Sequence, residues 1–338
     1  MNKNDIERLT AEEREAILAS IKADIASISE DFGELPEFTD AYGKPKIRPA
    51  YAHPRIWVNK DILPTVIEGL SNDENKGAYE IVIAHADIEY TGVLPPLADG
   101  KLRNFEYEDM AKLEALSFMY LTSGDELYGY AAIRAAKNFL ATIEVLPKTS
   151  DTPYYGWSGN DIYDISNNSS AAMEIMAQIY DWCFELISPE DREYLLKGTV
   201  NRLASNLEVL NPPTNSGCVT GHGTAILTLR DWPALAIAVA DEHPEIYDHV
   251  MGLLENYFVP APNWYYRSGA NFQGSGYGIN KTILHVMSEV LVYIMSGKKL
   301  YADDVSFEAT IKTFISYLRP DGESLRIGDD YACYPAKR

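Results

Sequence analysis

The chain has 338 residues, enough for one large domain or two average ones, and folding at this size buries about three quarters of the surface that the unfolded chain exposes. Hydrophobic residues make up 46% and charged residues 23%, which is typical of a soluble globular protein and excludes a disordered or fibrous chain. The 50 acidic and 29 basic residues give a net charge of -21, which argues against a general affinity for nucleic acid or for an anionic membrane.

The cysteines and the N-terminus further limit the class of protein that the sequence allows. Cys183, Cys218 and Cys333 form neither a close pair nor the spacing of a metal site, so we expect no disulfide framework and no metal ligands. The N-terminal stretch lacks a signal peptide, and no window approaches the ~18 apolar residues of a membrane span. We therefore expect a soluble protein of the cytoplasm, or of the periplasm if a presequence has been removed.

Helical periodicity dominates the chain. Thr10 followed by Glu13 predicts a capping box at a helix start, and Ser188 before Pro189 predicts another. Residues 36–56, rich in proline and aromatic residues, predict an extended stretch. The predicted helices are 60–70, 76–90, 105–122, 125–146, 166–187, 189–209, 222–240, 244–257, 276–296 and 303–317.

These helices, taken as consecutive antiparallel pairs, predict an all-α fold. Because no repeat of fixed length stands out, an incomplete α/α toroid is favoured over a regular solenoid. Near the C-terminus, residues 319–322 predict a turn and residues 324–327 a strand. We divide the chain into an N-terminal helix and extended lead-in over 1–45, the α/α toroid over 46–320, and the start of a truncated β region over 321–338.

Two glycine-rich polar loops are the candidates for chemistry. The first places His222 at or near a helix N-terminus, where the helix dipole favours a neutral ring that can act as a base. The second opens a helix on which Tyr277, Lys281 and His285 share one face. A nearby ammonium group favours the phenolate form of a tyrosine. The alternative interpretations are a simple helix cap at His222 and a solvated polar face around Tyr277.

Other residues are typical of a sugar-binding cleft. Trp157 and Trp264 lie in polar loops, where amphipathic rings suit the apolar faces of sugars, although such rings more often fill a core. Asn168 is a candidate amide donor or helix cap. The sequence shows no convincing pair of carboxylates for a glycosidase, and the nucleotide-binding and zinc-protease patterns are absent.

Several short stretches together resemble the heparinase II/III-like polysaccharide lyases over about residues 50–330. They are His53-Pro54-Arg55-Ile56, Tyr180-Asp181-Trp182 followed by Ser188-Pro189-Glu190, Gly221-His222-Gly223-Thr224, the loop ending at Gly278, and Arg319-Pro320-Asp321-Gly322. The resemblance implies an α/α toroid followed by a β-sandwich that this chain lacks. The second histidine of the family, and the metal that it sometimes binds, belong to that β-sandwich, so we expect no cofactor in this chain.

The resemblance also implies β-elimination at a uronic acid of an acidic polysaccharide. Carried over, Tyr277 would protonate the leaving oxygen and act as base where the sugar geometry permits, and His222 would be a base or would neutralise the carboxylate. The expected substrate-binding residues are Lys281, Asn168, Arg267, Trp264 and Trp157. With the β-sandwich missing, this chain would hold half of the active site, so we expect little or no activity from it alone.

Three departures from the family leave the exact substrate open. Heparin-acting relatives carry Glu three residues after the His, where this chain has Ala225, and Arg four residues after the Tyr, where it has Lys281. Relatives that act on other uronates place Asn before the His, where this chain has Gly221. The low number of cations favours a modestly charged uronate glycan over heparin.

Two other functions stay open at this point. A hydrolase of unsaturated uronyl oligosaccharides also uses an α/α toroid, but it requires paired catalytic acids. A non-catalytic toroid would bind glycans without turnover. Each of the three functions has an acidic polysaccharide or oligosaccharide as its partner, and none involves nucleic acid or a membrane.

Overall fold

The computed structural model describes residues 1, 3–96, 107–143, 166–203, 227–270, 274–301, 306–325 and 327. Within these ranges the fold is all-α, as predicted: 65% is helical and no sheet forms. An antiparallel bridge joins Leu318 to Ser324 around the predicted turn, and the strand predicted over 324–327 lies partly outside the described residues. Closure of the helices into a toroid stays a prediction. No helix in the described ranges combines the length and the apolar character needed to cross a membrane.

The helices follow the predicted pattern, with differences at their ends. They are α1 Lys3–Ile6, α2 Ala11–Ser27, α3 Leu63–Gly69, α4 Asp73–His85, α5 Tyr107–Ser123, α6 Glu126–Thr142, α7 Ser166–Trp182, α8 Pro189–Gly198, α9 Trp232–Ala238, α10 Pro244–Leu253, α11 Pro260–Tyr265, α12 Gly274–Ser296 and α13 Ser306–Tyr317. Wider π-type turns occupy Thr199–Leu203, Leu227–Asp231 and Leu254–Phe258. The helix predicted over 76–90 starts earlier, at Asp73. It also ends earlier, at His85, because Ala86 leaves the helical conformation with a ψ of 70°.

Local capping interactions set two of the predicted helix starts. In α2 the hydroxyl of Thr10 accepts from the backbone of Glu13 at 3.2 Å, and the backbone of Thr10 donates to the Glu13 carboxylate at 2.8 Å. In α8 the hydroxyl of Ser188 accepts from the backbone of Asp191 at 3.1 Å. Both predicted starts are confirmed. Each cap satisfies a backbone N–H that has no partner inside the helix.

Tight reversals pair neighbouring helices. Gly124 adopts a φ of 70° and donates its N–H to the carbonyl of Tyr120 at 2.8 Å, which ends α5. Asp125 then caps α6 by accepting from Leu127 at 3.1 Å. Because two residues reverse the chain, α5 and α6 lie antiparallel. Further packing joins α4 to α5, α5 to α7, α7 to α9, α9 to α10 and α12 to α13.

Helix α6 is buried on almost all sides. Two of its buried side chains are charged, and both reach partners on neighbouring elements. Arg134 donates to the carbonyl of Ile88 at 2.6 Å and to Asp24 of α2 at 3.2 Å. Lys137 reaches Asp191 of α8 at 2.5 Å. These contacts fix α2 and α8 against α6, because a buried charge is costly unless it is paired.

The stretch 36–56 contains no helix, turns at residues 40–43, and covers α10 and α12. The backbone of Ala50 donates to the carbonyl of Met295 at 2.9 Å. Over α10 the backbones touch: a Cβ built on Gly252 would lie 2.1 Å from the carbonyl oxygen of Gly43. Only glycine fits at position 252 at this distance. The missing side chain therefore lets the backbone of the 36–56 stretch pack directly against α10.

Candidate functional site

Helix α12 carries the predicted catalytic face. Its first residue, Gly274, has a φ of 78°, a conformation that residues with a side chain rarely adopt, so the glycine at this start has a structural reason. The backbone of Tyr277 lies in the first turn and that of Lys281 one turn later, while both side chains lie outside the described residues. His285 is half-buried, and its Nδ1 lies 2.8 Å from the hydroxyl of Tyr301. This contact ties α12 to the segment before α13.

The start of α12 lies against the C-terminal turn. The hydroxyl of Ser275 donates to the carbonyl of Leu325 at 2.7 Å. The turn itself is closed by a hydrogen bond from the backbone of Gly322 to the carbonyl of Arg319 at 2.9 Å. The glycine-rich stretch that opens α12 therefore contacts the segment that follows the 319–322 turn.

Two further stretches of the resemblance meet in the interior. Asp181 is fully buried, and its Oδ1 lies 2.6 Å from Nδ1 of His53. Its Oδ2 accepts the backbone N–H groups of Arg55 at 2.8 Å and Ile56 at 2.9 Å. The indole of Trp182 donates to the carbonyl of Ile56 at 2.9 Å. These motifs form the joint between the extended stretch and α7, a structural role that explains their residue types.

Ring stacking and the buried guanidinium of Arg55 stabilise the same joint. The ring of His53 stacks on Phe184 with 3.8 Å between centroids and 10° between planes, and Arg192 covers Phe184 at 3.6 Å. Arg55, which is 1% exposed, reaches Asp241 at 2.7 Å, beyond the end of α9. The joint therefore connects α7, α8 and α9 through one short segment.

The structure describes only some of the other predicted site residues. Trp264 is 72% exposed at the end of α11, and Arg267 is exposed in the loop that leads into α12. Asn168 lies in the first turn of α7, with its backbone described and its side chain outside the described residues. His222 and Trp157 lie outside the described residues altogether. Trp264 and Arg267 are thus both exposed, and both precede the helix of Tyr277 along the chain.

Sequence reasoning missed a cluster of charged side chains between α5, α7 and the turn before α9. Nε of Arg230 lies 2.9 Å from Oε2 of Glu174 and 2.7 Å from Oδ1 of Asp231. The side chains of Arg230, Glu174 and Asp231 are 14%, 13% and 0% exposed. Glu114 on α5 lies close enough for its charge to interact with those of Glu174 and Arg230. We call these four residues the acid–arginine cluster.

Trp57 and Gln178 adjoin the acid–arginine cluster. The side chain of Trp57 hydrogen-bonds to Glu174, and its backbone has a φ of 59°, which is uncommon for a bulky residue and strained. Gln178 is 4% exposed and places its amide nitrogen 3.4 Å from Glu174. Within the described ranges, its buried Oε1 has no hydrogen-bond partner. The side chains of Trp57 and Gln178 therefore both contact the carboxyl group of Glu174.

Burial perturbs both glutamates of the cluster. Burial raises the pKa of Glu114, and the charge of Glu174 raises it further, while Arg230 opposes the shift. Burial also raises the pKa of Glu174 against the opposing effect of Arg230. Glu114 is nevertheless an exposed residue of α5, so water reaches it directly. The cluster therefore retains a proton to higher pH than isolated glutamates do.

The available sequence signal for this cluster was weak. Glu174 stands in the apolar helical run Ala171–Ile179, where a glutamate needs a buried partner. That position indicates an interior ion pair, but not its partner, because Arg230 and Glu114 are more than fifty residues away along the chain.

Comparisons with protein-family models and with curated proteins give no match for this chain. The function proposed below therefore depends on the residues and their geometry, together with the family resemblance of the short stretches. Among the described residues, no three His, Cys, Asp or Glu side chains are grouped so as to hold a metal ion.

Proposed function

We propose that this protein is a polysaccharide lyase that cleaves a uronic-acid-containing glycan by β-elimination. The observation that carries the proposal is the start of α12. A glycine with positive φ opens the helix, Tyr277 and Lys281 follow in its first two turns, and the segment after the 319–322 turn contacts it through Leu325. The all-α architecture and the order of the resembling stretches support the same reaction class.

The reaction requires three contributions from the protein. A base must remove the weakly acidic proton at C5 of the uronate, and an acid must protonate the leaving oxygen at C4. The uronate carboxylate must be neutralised so that the enolate-like intermediate can form. We assign the acid to Tyr277, which also serves as base where the sugar geometry permits. His222 serves as base or neutralises the carboxylate, and Lys281 holds negative charge.

The remaining predicted residues bind the glycan in this proposal. Arg267 lies on the exposed loop before α12 and supplies a cation for a substrate carboxylate. The 72% exposed indole of Trp264 suits the apolar face of a sugar ring. Trp157 has the same role, and Asn168 donates amide hydrogen bonds.

The substrate class in this proposal is a modestly charged uronate chain. A protein with a net charge of -21 repels polyanions unless cations reverse the potential in its cleft. Lys281 provides a point charge, which lacks the bidentate fork with which arginine holds sulfate and carboxylate groups. We expect unsulfated uronates to be cleaved faster than heparin.

Ultraviolet absorbance measures the proposed reaction directly, because elimination leaves a carbon–carbon double bond conjugated to the carboxylate and hydrolysis does not. The substrates are heparan sulfate, chondroitin, hyaluronan and alginate, at a protein concentration high enough to detect slow turnover. We expect absorbance to rise with at least one glycan. Tyr277→Phe, which removes the acid, should lower the rate by a factor of about 100 to 10,000.

The matched control is Tyr293→Phe, the same change at a 52% exposed position of the same helix. It should leave the rate as in the wild type. A flat trace with all four glycans would contradict the proposal, and so would a rise that survives Tyr277→Phe. Binding without any rise in absorbance would instead identify a glycan-binding protein.

A further inference from the structure

We infer that the outer face of α12 and α13 is a dimer interface, which a second copy of this chain covers. The inference goes beyond the proposed lyase reaction and does not depend on it. It rests on the exposure, the spacing and the charge of the side chains that these two helices carry.

Exposed large apolar side chains are concentrated on this part of the molecule. Of the fourteen such residues in the described ranges, nine lie between residues 283 and 327. Single exposed apolar residues need no explanation, whereas a group of them typically marks an interaction surface. We call seven of the nine, which lie on the two helices or directly after α13, the α12–α13 face: Ile283, Val286, Val290, Tyr293, Ile311, Ile315 and Leu318.

Helix α12 is apolar on two sides. On its inner side Leu284, Leu291 and Met295 are buried in the core. On its outer side the four residues of the α12–α13 face are between 38% and 52% exposed. A surface helix typically has one apolar side, and a helix that is apolar all round is typically enclosed by protein. The outer side of α12 therefore has the composition of a covered surface.

The spacing of the exposed residues is that of a seam between helices. On α12 they follow one another at intervals of three, four and three residues, and on α13 at intervals of four and three. This average period of 3.5 residues keeps a stripe of side chains directed at a neighbouring helix. Helix α13 packs on α12, so the two stripes belong to adjacent helices. A two-fold axis brings the same stripe of two copies together, because a symmetric dimer uses one patch twice.

The charge distribution selects a second copy as the partner. Residues 274–338 contain eight basic and eight acidic residues, so the whole net charge of -21 is carried by residues 1–273. Two copies therefore repel each other least where they meet through the C-terminal helices. A basic partner protein would instead be attracted to the acidic surface of residues 1–273.

The α12–α13 face is also free of unbalanced charge in detail. Between Thr282 and Ser296 the sequence has one charged residue, Glu289, and its carboxylate accepts the backbone N–H groups of residues 300 and 301 at 2.8 and 2.9 Å. On α13 Glu308 forms an ion pair with Lys312. A face of this kind is complementary to itself, because no like charges meet when it is paired with its own copy.

The area of the α12–α13 face is sufficient for a stable dimer. Covering all seven side chains would remove about 600–700 Å² of accessible surface from each copy, if a fully exposed residue of this size has about 170–200 Å². The two copies together would lose about 1,200–1,400 Å², which lies within the range of specific protein interfaces.

Sedimentation equilibrium of the full chain between about 1 and 100 μM, in 0.15 M sodium chloride, tests the inference. We expect the wild type to have the mass of a dimer at the upper concentrations. Ile283→Glu on α12 and Ile311→Glu on α13 each place a carboxylate inside the apolar face of both copies. Each should raise the dissociation constant at least about 100-fold, because a buried charge without a partner is costly.

The matched control is Ile81→Glu, the same change at a 62% exposed position of α4. It should dimerise as the wild type does, and circular dichroism should show the same helical content in all three variants. Lowering the salt to about 0.01 M should weaken the wild-type dimer, because the repulsion between two copies of net charge -21 is then less screened.

Four results would overturn the inference. They are a wild type that stays monomeric at about 100 μM, an assembly larger than a dimer, a dimer that persists in both Ile283→Glu and Ile311→Glu, and an equal loss of the dimer in Ile81→Glu. A monomeric wild type would assign the face to another occupant, such as a different protein or a further part of the same chain. A dimer without any rise in absorbance would keep this inference and remove the lyase reaction.

Discussion

Asp181 shows why a motif can be specific without being catalytic. Its two oxygens receive the ring of His53 and two backbone N–H groups, and its side chain is fully buried. The carboxylate therefore determines the path of the segment that follows His53. Arg55, two residues after His53, is buried as well and reaches Asp241, so the segment is held by side-chain contacts to two carboxylates.

We expect Asp181→Asn to lower the free energy of unfolding by about 1–3 kcal/mol, because an amide nitrogen cannot accept a hydrogen bond and leaves a buried donor without its acceptor. Urea unfolding followed by circular dichroism measures the change. Asp73→Asn, on the exposed first turn of α4, is the control and should change stability by less than about 1 kcal/mol. Equal effects of the two substitutions would contradict the structural role of Asp181.

Helix α10 and the extended stretch show how two elements depend on one small residue. Gly252 lies inside the helix, and its missing side chain lets the backbone at Gly43 approach. Gly77 lies inside α4 and faces open space, with nothing within 4 Å of a Cβ built there. The same substitution at these two helical glycines therefore meets opposite surroundings.

We expect Gly252→Ala to destabilise the protein by about 1–3 kcal/mol, because the methyl group forces two backbones apart. Gly77→Ala should stabilise it by about 0.5–1 kcal/mol, because alanine restricts the unfolded chain and favours the helix. Thermal and urea unfolding of the two variants measure both signs. Stabilisation by both substitutions would show that the extended stretch does not pack on α10 in solution.

The whole molecule carries a large surplus of negative charge. With 50 acidic and 29 basic residues, repulsion among carboxylates opposes folding over the entire surface. Ion pairs such as Arg14 with Asp125 offset part of this repulsion. Salt weakens both effects, but the repulsion involves more charges, so screening favours the folded state.

We therefore expect the free energy of unfolding at neutral pH to rise with sodium chloride between about 0.01 M and 0.15 M, where the Debye length falls from about 30 Å to about 8 Å. Urea unfolding at several salt concentrations measures this dependence. The same series at a pH low enough to neutralise the carboxyl surplus is the control, and the rise should be smaller there. A fall in stability with salt at neutral pH would mean that ion pairs dominate the electrostatics of the fold.

The sequence by itself determined the all-α class, the approximate helix positions and several helix ends. These features depend on contacts within a few residues of the chain. Thr10 bonds to Glu13, Ser188 bonds to Asp191, and the glycines before Tyr277 open its helix. Such interactions can be predicted from the spacing of residues in the sequence, because helical periodicity and capping repeat the same local geometry in every protein.

The tertiary structure decided which distant residues meet. Glu114, Glu174 and Arg230 stand on three separate elements, and neither periodicity nor spacing relates them before the helices pack. The positive φ of Trp57 and the meeting of His53 with Asp181 have the same origin. Burial and ion pairing depend on long-range packing, which a single sequence constrains only through the total hydrophobic surface that it must bury. The start of α12 was therefore predictable, whereas the acid–arginine cluster required the assembled fold.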